Sequence, residues 1–328
     1  MGVLKRVSSK LKRMSNDLLF DTPLINASIN RRDRNLILMY HGVDVEGKNP
    51  FNSRHTPVSY FEKQIAFLVK TYKVVPLTRF FEQRRSETGL CAITFDDGYL
   101  NNYTHAAPVL EKYNCPATFF ITGLNETPVD ILWADYVNIA GRLLKDVSIA
   151  GEIFTAVNGV LYSPEQKKNI LEIAKHLQPE WDYKLKIYEA LDKALTFKSD
   201  SKYDIYWRLM NDAQIRALSE NKLFEIGSHG YYHNNLGDIK IENAREEILR
   251  SKKYLERVIQ KDITTLGYPD GSWTKETLDF GVENGFIHQT CSEAYSRGVT
   301  VNEKYIIDRN GIYNSDSAAN QLLTAINS

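Results

Sequence analysis

Two adjacent carboxylates, Asp96 and Asp97, stand where the apolar run Cys91-Ala92-Ile93-Thr94-Phe95 ends. Two histidines follow far downstream in Ser228-His229-Gly230-Tyr231-Tyr232-His233. One carboxylate and two imidazoles form a mixed oxygen and nitrogen ligand set suited to a divalent transition metal, and three protein ligands leave positions open for water and substrate. Histidines four residues apart lie on one side of a helical turn, so the spacing predicts that both face one ion. A metal held there lowers the pKa of its water to about 7 and polarises a carbonyl oxygen, the two needs of amide or ester hydrolysis. Successive side chains of an extended backbone point apart, which places Asp97 on the metal and leaves Asp96 to take the proton of the attacking water.

Such groups need a scaffold that gathers them, and the chain alternates short apolar runs with helical patterns, as a largely parallel α/β sheet or barrel does. Strands are expected over residues 36–40, 73–77, 91–95, 117–121, 224–228 and 264–268, and helices over 59–70, 101–113 and 241–258. His41, Asp96, Asp97, His229 and His233 all fall just beyond carboxyl ends of these strands, where α/β folds place their active sites. From residue 124 to 220 the rhythm changes to stretches rich in Lys, Glu and Leu, such as 163–177 and 182–194, which predicts a helical insertion. It would emerge on the catalytic face, with Trp133, Trp181 and Trp207 as candidate sugar-stacking groups or core residues.

Composition narrows the classes. The 41 basic and 41 acidic residues among 328 cancel, so no net charge draws the protein to nucleic acid. Cys91, Cys115 and Cys291 are too few and too scattered for a disulfide framework and read as reduced, buried thiols. No run reaches the roughly 18 apolar residues of a membrane span, and the start lacks the apolar core of a secretory signal, so a cytoplasmic location is expected. Leu4, Val7, Leu11, Met14 and Leu18 recur at helical spacing, with Lys5, Arg6, Lys10, Lys12 and Arg13 on other faces. Residues 1–24 are therefore a candidate peripheral contact with the inner face of an anionic membrane, or a helix docked on its own domain. Arg31, Arg32 and Arg34 read as solvated charge.

Through Thr94-Phe95-Asp96-Asp97-Gly98, Ser228-His229 with His233, and Pro116-Ala117-Thr118-Phe119-Phe120, the chain resembles the NodB-type polysaccharide deacetylases, carbohydrate esterase family four. The resemblance covers about 36–123 and 223–312. It implies a distorted (β/α) barrel that hydrolyses N-acetyl, sometimes O-acetyl, groups on sugars with a divalent metal, commonly zinc. It also implies Asp96 as catalytic base and Asp97, His229 and His233 as metal ligands. The expected organisation is a basic segment over 1–34, a barrel from 35–123 and 221–328, and the insertion over 124–220.

Two departures shape the remaining expectations. Where better-known members carry Arg-x-Pro-Tyr-Gly, this chain reads Gly267-Tyr268-Pro269-Asp270-Gly271. That Tyr-Pro-x-Gly variant resembles a branch including poly-N-acetylglucosamine deacetylases, and it implies the backbone N–H of Asp270 as an oxyanion donor. Arg309, ending Tyr305-Ile306-Ile307-Asp308-Arg309, is the candidate replacement for the arginine that orients Asp96, a surface arginine being the alternative. No Leu-x-x-His follows His288, which reads as an ordinary strand histidine, whereas Met39-Tyr40-His41-Gly42-Val43 matches the Tyr-His pattern of that branch. His41 is thus the expected general acid, a role suited to a group titrating near neutral pH.

Together these features predict a metal-dependent N-deacetylase acting on an acetylated sugar or glycan, such as a lipid- or nucleotide-linked intermediate of surface-polysaccharide synthesis. The rivals are a non-catalytic carbohydrate-binding protein on the same fold, a hydrolase of a non-sugar amide, and a non-haem Fe(II) oxygenase, since two histidines and a carboxylate also form that triad. The adjacent second aspartate weighs against the oxygenase.

Overall fold

The structure is a computed structural model that describes residues 15, 16, 18, 20, 34–45, 51–292, 302–313 and 317–327. The basic amphipathic pattern lies almost wholly outside the described residues, as do Arg31 and Arg32.

Seven parallel strands close on themselves: β1 (Leu36–Tyr40), β2 (Leu90–Phe95), β3 (Ala117–Ile121), β4 (Phe224–Ser228), β5 (Thr265–Gly267), β6 (His288–Ser292) and β7 (Ile306–Gly311). β1 pairs with β2 from Leu36 opposite Cys91 to Tyr40 opposite Phe95, and with β7 at Leu38 and Met39, which completes the ring. The expected barrel is therefore present, with Lys73–Val74 added as a short parallel pairing on Leu90 and Cys91.

Side chains on a strand alternate between faces, and here the alternation separates two cores. Leu36, Leu38, Tyr40, Cys91, Ile93 and Phe95 pack with helix residues Phe61, Ile65, Leu68, Leu255 and Leu322. The intervening Ile37, Ala92, Phe120 and Ile307 pack with Leu77 and Phe80 of the helix Leu77–Gln83. Each fully buried side chain of this size contributes about 1.5–3 kcal/mol, so apolar burial on both faces carries the stability of the walls. The second face turns polar towards the carboxyl ends, at Thr94, Asp96 and Arg309, all buried. Cys91, Cys115 and Cys291 are buried free thiols.

Residues 124–220 depart from the all-helical insertion expected from the sequence. Helices Trp133–Leu143 and Trp181–Ala194 are present, but an antiparallel meander of Asp146–Ile149, Glu152–Val157, Val160–Ser163 and Lys168–Asn169 lies between them. The stretch 163–177, read as one helix, is in fact strand, turn and two short helical segments. Asn158 (φ 52°) and Gly159 (φ 81°) form the left-handed pair that a two-residue hairpin requires, and Ala150 with Gly151 forms another. Val147, Ile149, Phe154 and Leu161 join Trp133, Ile139, Ile187 and Leu191 in a separate apolar core.

Candidate active site

The ladder runs one residue past several strands and so fixes the roots of the site. Asp96 N–H donates to the Tyr40 carbonyl (3.0 Å), and His229 N–H to that of Ile121 (2.9 Å). The chain then turns sharply, with Asp97 (φ 77°) and Gly98 (φ 79°) both left-handed. It is this turn, rather than the alternation of an extended strand, that sends Asp96 and Asp97 to different partners.

Asp96 meets Arg309 of β7 side-on. The guanidinium donates to its two oxygens at 2.5 and 2.8 Å, and also to Thr94 Oγ1 at 3.2 Å, with every group buried. Burial is the largest single influence and works to raise the Asp96 pKa, but the charge and hydrogen bonds of Arg309, with nearby His229, together outweigh it and hold the carboxyl below its usual range. A two-pronged charged pair of this kind fixes orientation as well as ionisation. A side chain on Gly267, where better-known members carry their arginine, would meet the Phe120 ring at 3.0 Å, and Arg309 lies over that same ring at 5.1 Å. The aromatic ring thus fills the space a side chain at 267 would need, and the guanidinium comes instead from β7.

Asp97 faces the histidines. Its Oδ1 lies 3.1 Å from His233 Nε2 and 3.5 Å from His229 Nε2. Among the described residues neither Asp97 oxygen has a hydrogen-bond partner, and one ligand atom from each of the three residues falls within 4.8 Å of the others. His229 Nδ1 is 2.7 Å from the Gly267 carbonyl, which places the proton on Nδ1 and turns the Nε2 lone pair inward. Three buried electron-pair donors converging without hydrogen bonds between them fit a cation of the first transition row. The histidines do not share a helical turn, however. They stand at the two ends of a bend in which Gly230 (φ 72°) and His233 (φ 59°) are left-handed.

His41, Arg54, Asp96, His229, His233 and Asp270 line a cavity of about 110 Å³, together with Met39, Gly271, Ser292 and Tyr313. His41 is buried and its Nδ1 has no partner among the described residues. Burial, then the charge of Arg54, push its pKa down to about 4, so it rests as a neutral imidazole instead of titrating near neutrality. Behind it, Gly42 lies against the His55 ring, where a Cβ would come within 2.4 Å. Asp270 (φ 54°) sits in the turn after β5, its carboxylate 2.7 Å from Lys175 Nζ of the insertion. Sequence reasoning missed Arg54, which carries no motif and reaches the cavity through the fold alone.

Of the three tryptophans, Trp133 and Trp207 are buried, which removes them as sugar platforms. Trp133 Nε1 instead donates to the His233 carbonyl at 3.4 Å. Trp181 stacks on Tyr232, centroids 4.4 Å apart, where the insertion meets the metal-ligand loop. His288 opens strand β6 beside Phe81, as an ordinary strand histidine does.

Comparison with known proteins agrees with this architecture. A Bacillus subtilis protein described as a candidate polysaccharide deacetylase, YxkH, is 36% identical over 92 residues, which cover 26% of this chain and 31% of that protein. The chain therefore matches about a third of that relative's length. Among solved structures, the Streptococcus pyogenes deacetylase PplD in complex with acetate aligns over 89% of this chain and 98% of its own, at 15% identity and a TM-score of 0.55. A de-N-acetylase from Aggregatibacter actinomycetemcomitans aligns over 89% of this chain and all of its own, at 16% identity and a TM-score of 0.55. IcaB from Ammonifex degensii aligns over 90% and 98%, at 16% identity and 0.52. At such identities the likeness is one of fold. The polysaccharide deacetylase family model matches residues 83–146 and 186–287, together half of the chain, and with the barrel and its motifs in place this chain belongs to that family.

Proposed function

We propose that the chain is a metal-dependent deacetylase that hydrolyses an N-acetyl group on a sugar or glycan. The observation that carries this reading is the pairing of two differently used aspartates in one buried cavity: Asp97 among imidazole nitrogens and Asp96 gripped by Arg309. A binding protein has no need of the second pair.

Asp97, His229 and His233 would hold one divalent ion, with zinc our assignment, and the ion when bound supplies carbonyl polarisation and a water of lowered pKa. Asp96, kept ionised by Arg309, receives the proton of the attacking water on its carboxylate. The backbone N–H of Asp270 is the proposed donor to the oxyanion. His41 starts neutral; the negative charge that builds on the attacked carbonyl raises its proton affinity, so the proton that Asp96 took from the water passes to His41 and on to the departing nitrogen, which leaves as the free amine with acetate as the other product. Arg54 adds a positive charge to the same cavity wall.

Acetate release from N-acetylated oligosaccharides and nucleotide sugars, by protein stripped of metal and then reloaded with zinc, tests the proposal. Zinc-dependent release is expected; silence across the panel with one zinc bound would overturn it. A lipid- or nucleotide-linked intermediate of surface-polysaccharide synthesis, met in the cytoplasm at the inner membrane face, is the substrate setting we propose. The basic pattern of residues 1–24 supports it. Unchanged membrane partition after removal of those residues would withdraw that part.

A further inference from the structure

The two histidines of the cavity are held by different means. His229 has its Nδ1 tied to the Gly267 carbonyl, whereas His233 Nδ1 is buried with no partner among the described residues, so no such tie at Nδ1 sets its direction. Its backbone must set it, and the His233 backbone is left-handed at φ 59°. A non-glycine residue keeps that conformation only when its surroundings impose it.

The surroundings that do so come chiefly from one carboxylate. Glu247, on the helix Ile241–Ile259, is 3% exposed and inserts beneath the bend. Its Oε2 accepts from the backbone N–H groups of Tyr231 (3.2 Å) and Tyr232 (2.9 Å), and its Oε1 accepts from Asn234 Nδ2 (2.7 Å). Successive N–H groups aim at one acceptor because Gly230 is left-handed, and a side chain on Gly230 would approach Glu247 Oε2 at 3.4 Å. One turn along the same helix face, Ser251 Oγ lies 2.6 Å from Ser228 Oγ, at the root of the bend. The opposite side is closed by the Trp133 contact to the His233 carbonyl.

We propose that Glu247 is the positioning residue for His233: by gathering the N–H groups of Tyr231 and Tyr232 and the amide of Asn234, it fixes the bend that points the His233 imidazole at the metal position. The inference rests on the metal site read above, but not on the identity of the sugar. Asn234 supplies a built-in control. Its Oδ1 is buried and has no partner among the described residues, so with glutamine at 247 the Asn234 amide can turn over and accept from the new NH₂ group while the glutamine oxygen keeps the two backbone donors.

Zinc affinity of the full chain, measured by competition with a chromogenic chelator, tests this without any substrate. Glu247→Ala is expected to weaken zinc binding about tenfold or more, as loss of an outer-sphere partner does. Glu247→Gln should stay within about threefold of wild type, because hydrogen bonding rather than charge is what the bend needs. In a His233→Ala background the Glu247→Ala change should add nothing further. Should Glu247→Ala not fold by circular dichroism, Asn234→Ala removes one of the three hydrogen bonds and is expected to lose about threefold, again only while His233 is present. Wild-type zinc affinity in the folded Glu247 or Asn234 variant, or an equal loss without His233, would overturn the proposal. Tight zinc binding with no acetate release would count against the deacetylase reading alone.

Discussion

Buried charges behave differently at the barrel rim and inside the insertion. At the rim, Asp96 is fully enclosed yet held ionised, because the charge and hydrogen bonds of Arg309, together with neighbouring histidines, outweigh the penalty of burial. In the insertion, Asp135 of helix Trp133–Leu143 accepts from the Tyr99 hydroxyl (2.5 Å) and the Asn52 amide (2.9 Å), and burial pushes its pKa up to about 7 against the opposing charge of Arg54. Lys184 of helix Trp181–Ala194 lies 5.5 Å from the Trp133 ring centre, and burial brings its pKa down to about 7. Desolvation favours the neutral form unless an opposite charge stands close by. At Asp96 the opposite charge outweighs desolvation, whereas at Asp135 the charge of Arg54 and two hydrogen bonds do not.

Breaking the rim should have the largest effects. Asp96→Asn keeps the shape but removes the proton acceptor, and acetate release is expected to fall by about 10²–10⁴ with zinc content unchanged. Undiminished turnover would show that the rim charge serves structure alone. Arg309→Lys keeps a positive charge but loses the two-pronged grip, so activity should fall about tenfold or more, with a stability loss of about 1–3 kcal/mol in thermal unfolding.

The insertion should respond to pH instead. The Asp135 value of about 7 in the folded protein lies above the ordinary 3.8, so the native state keeps a proton that the unfolded chain releases as pH rises. That contribution to stability is present below the unfolded value and is lost as pH climbs to about 7. Asp135→Asn should therefore gain about 1–2 kcal/mol relative to wild type between about pH 5 and about pH 8, in metal-stripped protein. An unchanged difference would mean that Asp135 is ionised like its rim counterparts. The smallest effect is expected where the regions touch: the Lys175–Asp270 bridge is about a quarter exposed on both sides. Lys175→Met should change stability by less than about 1 kcal/mol and KM by about two- to threefold.

Much of the barrel was legible because its first strands, β1 to β3, are short and mostly apolar runs, two of which lead into chemistry-bearing residues. β2 ends just before Asp96 and β4 just before His229, as the pattern requires. The meander was missed although Asn158-Gly159, the strongest short hairpin signal, stands in plain view. Its strands are only two to six residues long and partly exposed, so none shows the continuous burial that marks the barrel strands, and the Lys- and Glu-rich stretches that follow them set the helical reading. The helical-turn reading of His229 and His233 failed for another reason: spacing reports which residues are near in sequence, but left-handed Gly230 and His233 give the bend a curvature that no periodicity encodes.

The sequence by itself determined the residue types at the site, their attachment to strand ends and the family that combines them, since these depend on local pattern and on motif chemistry. Only the tertiary structure decided that Arg309 meets Asp96 across 213 residues, that Arg54 enters the cavity and that Glu247 grips the histidine bend. Those contacts are made between elements far apart in the chain, and the closure of the barrel, with the helix packed on its wall, is what brings them within hydrogen-bonding distance.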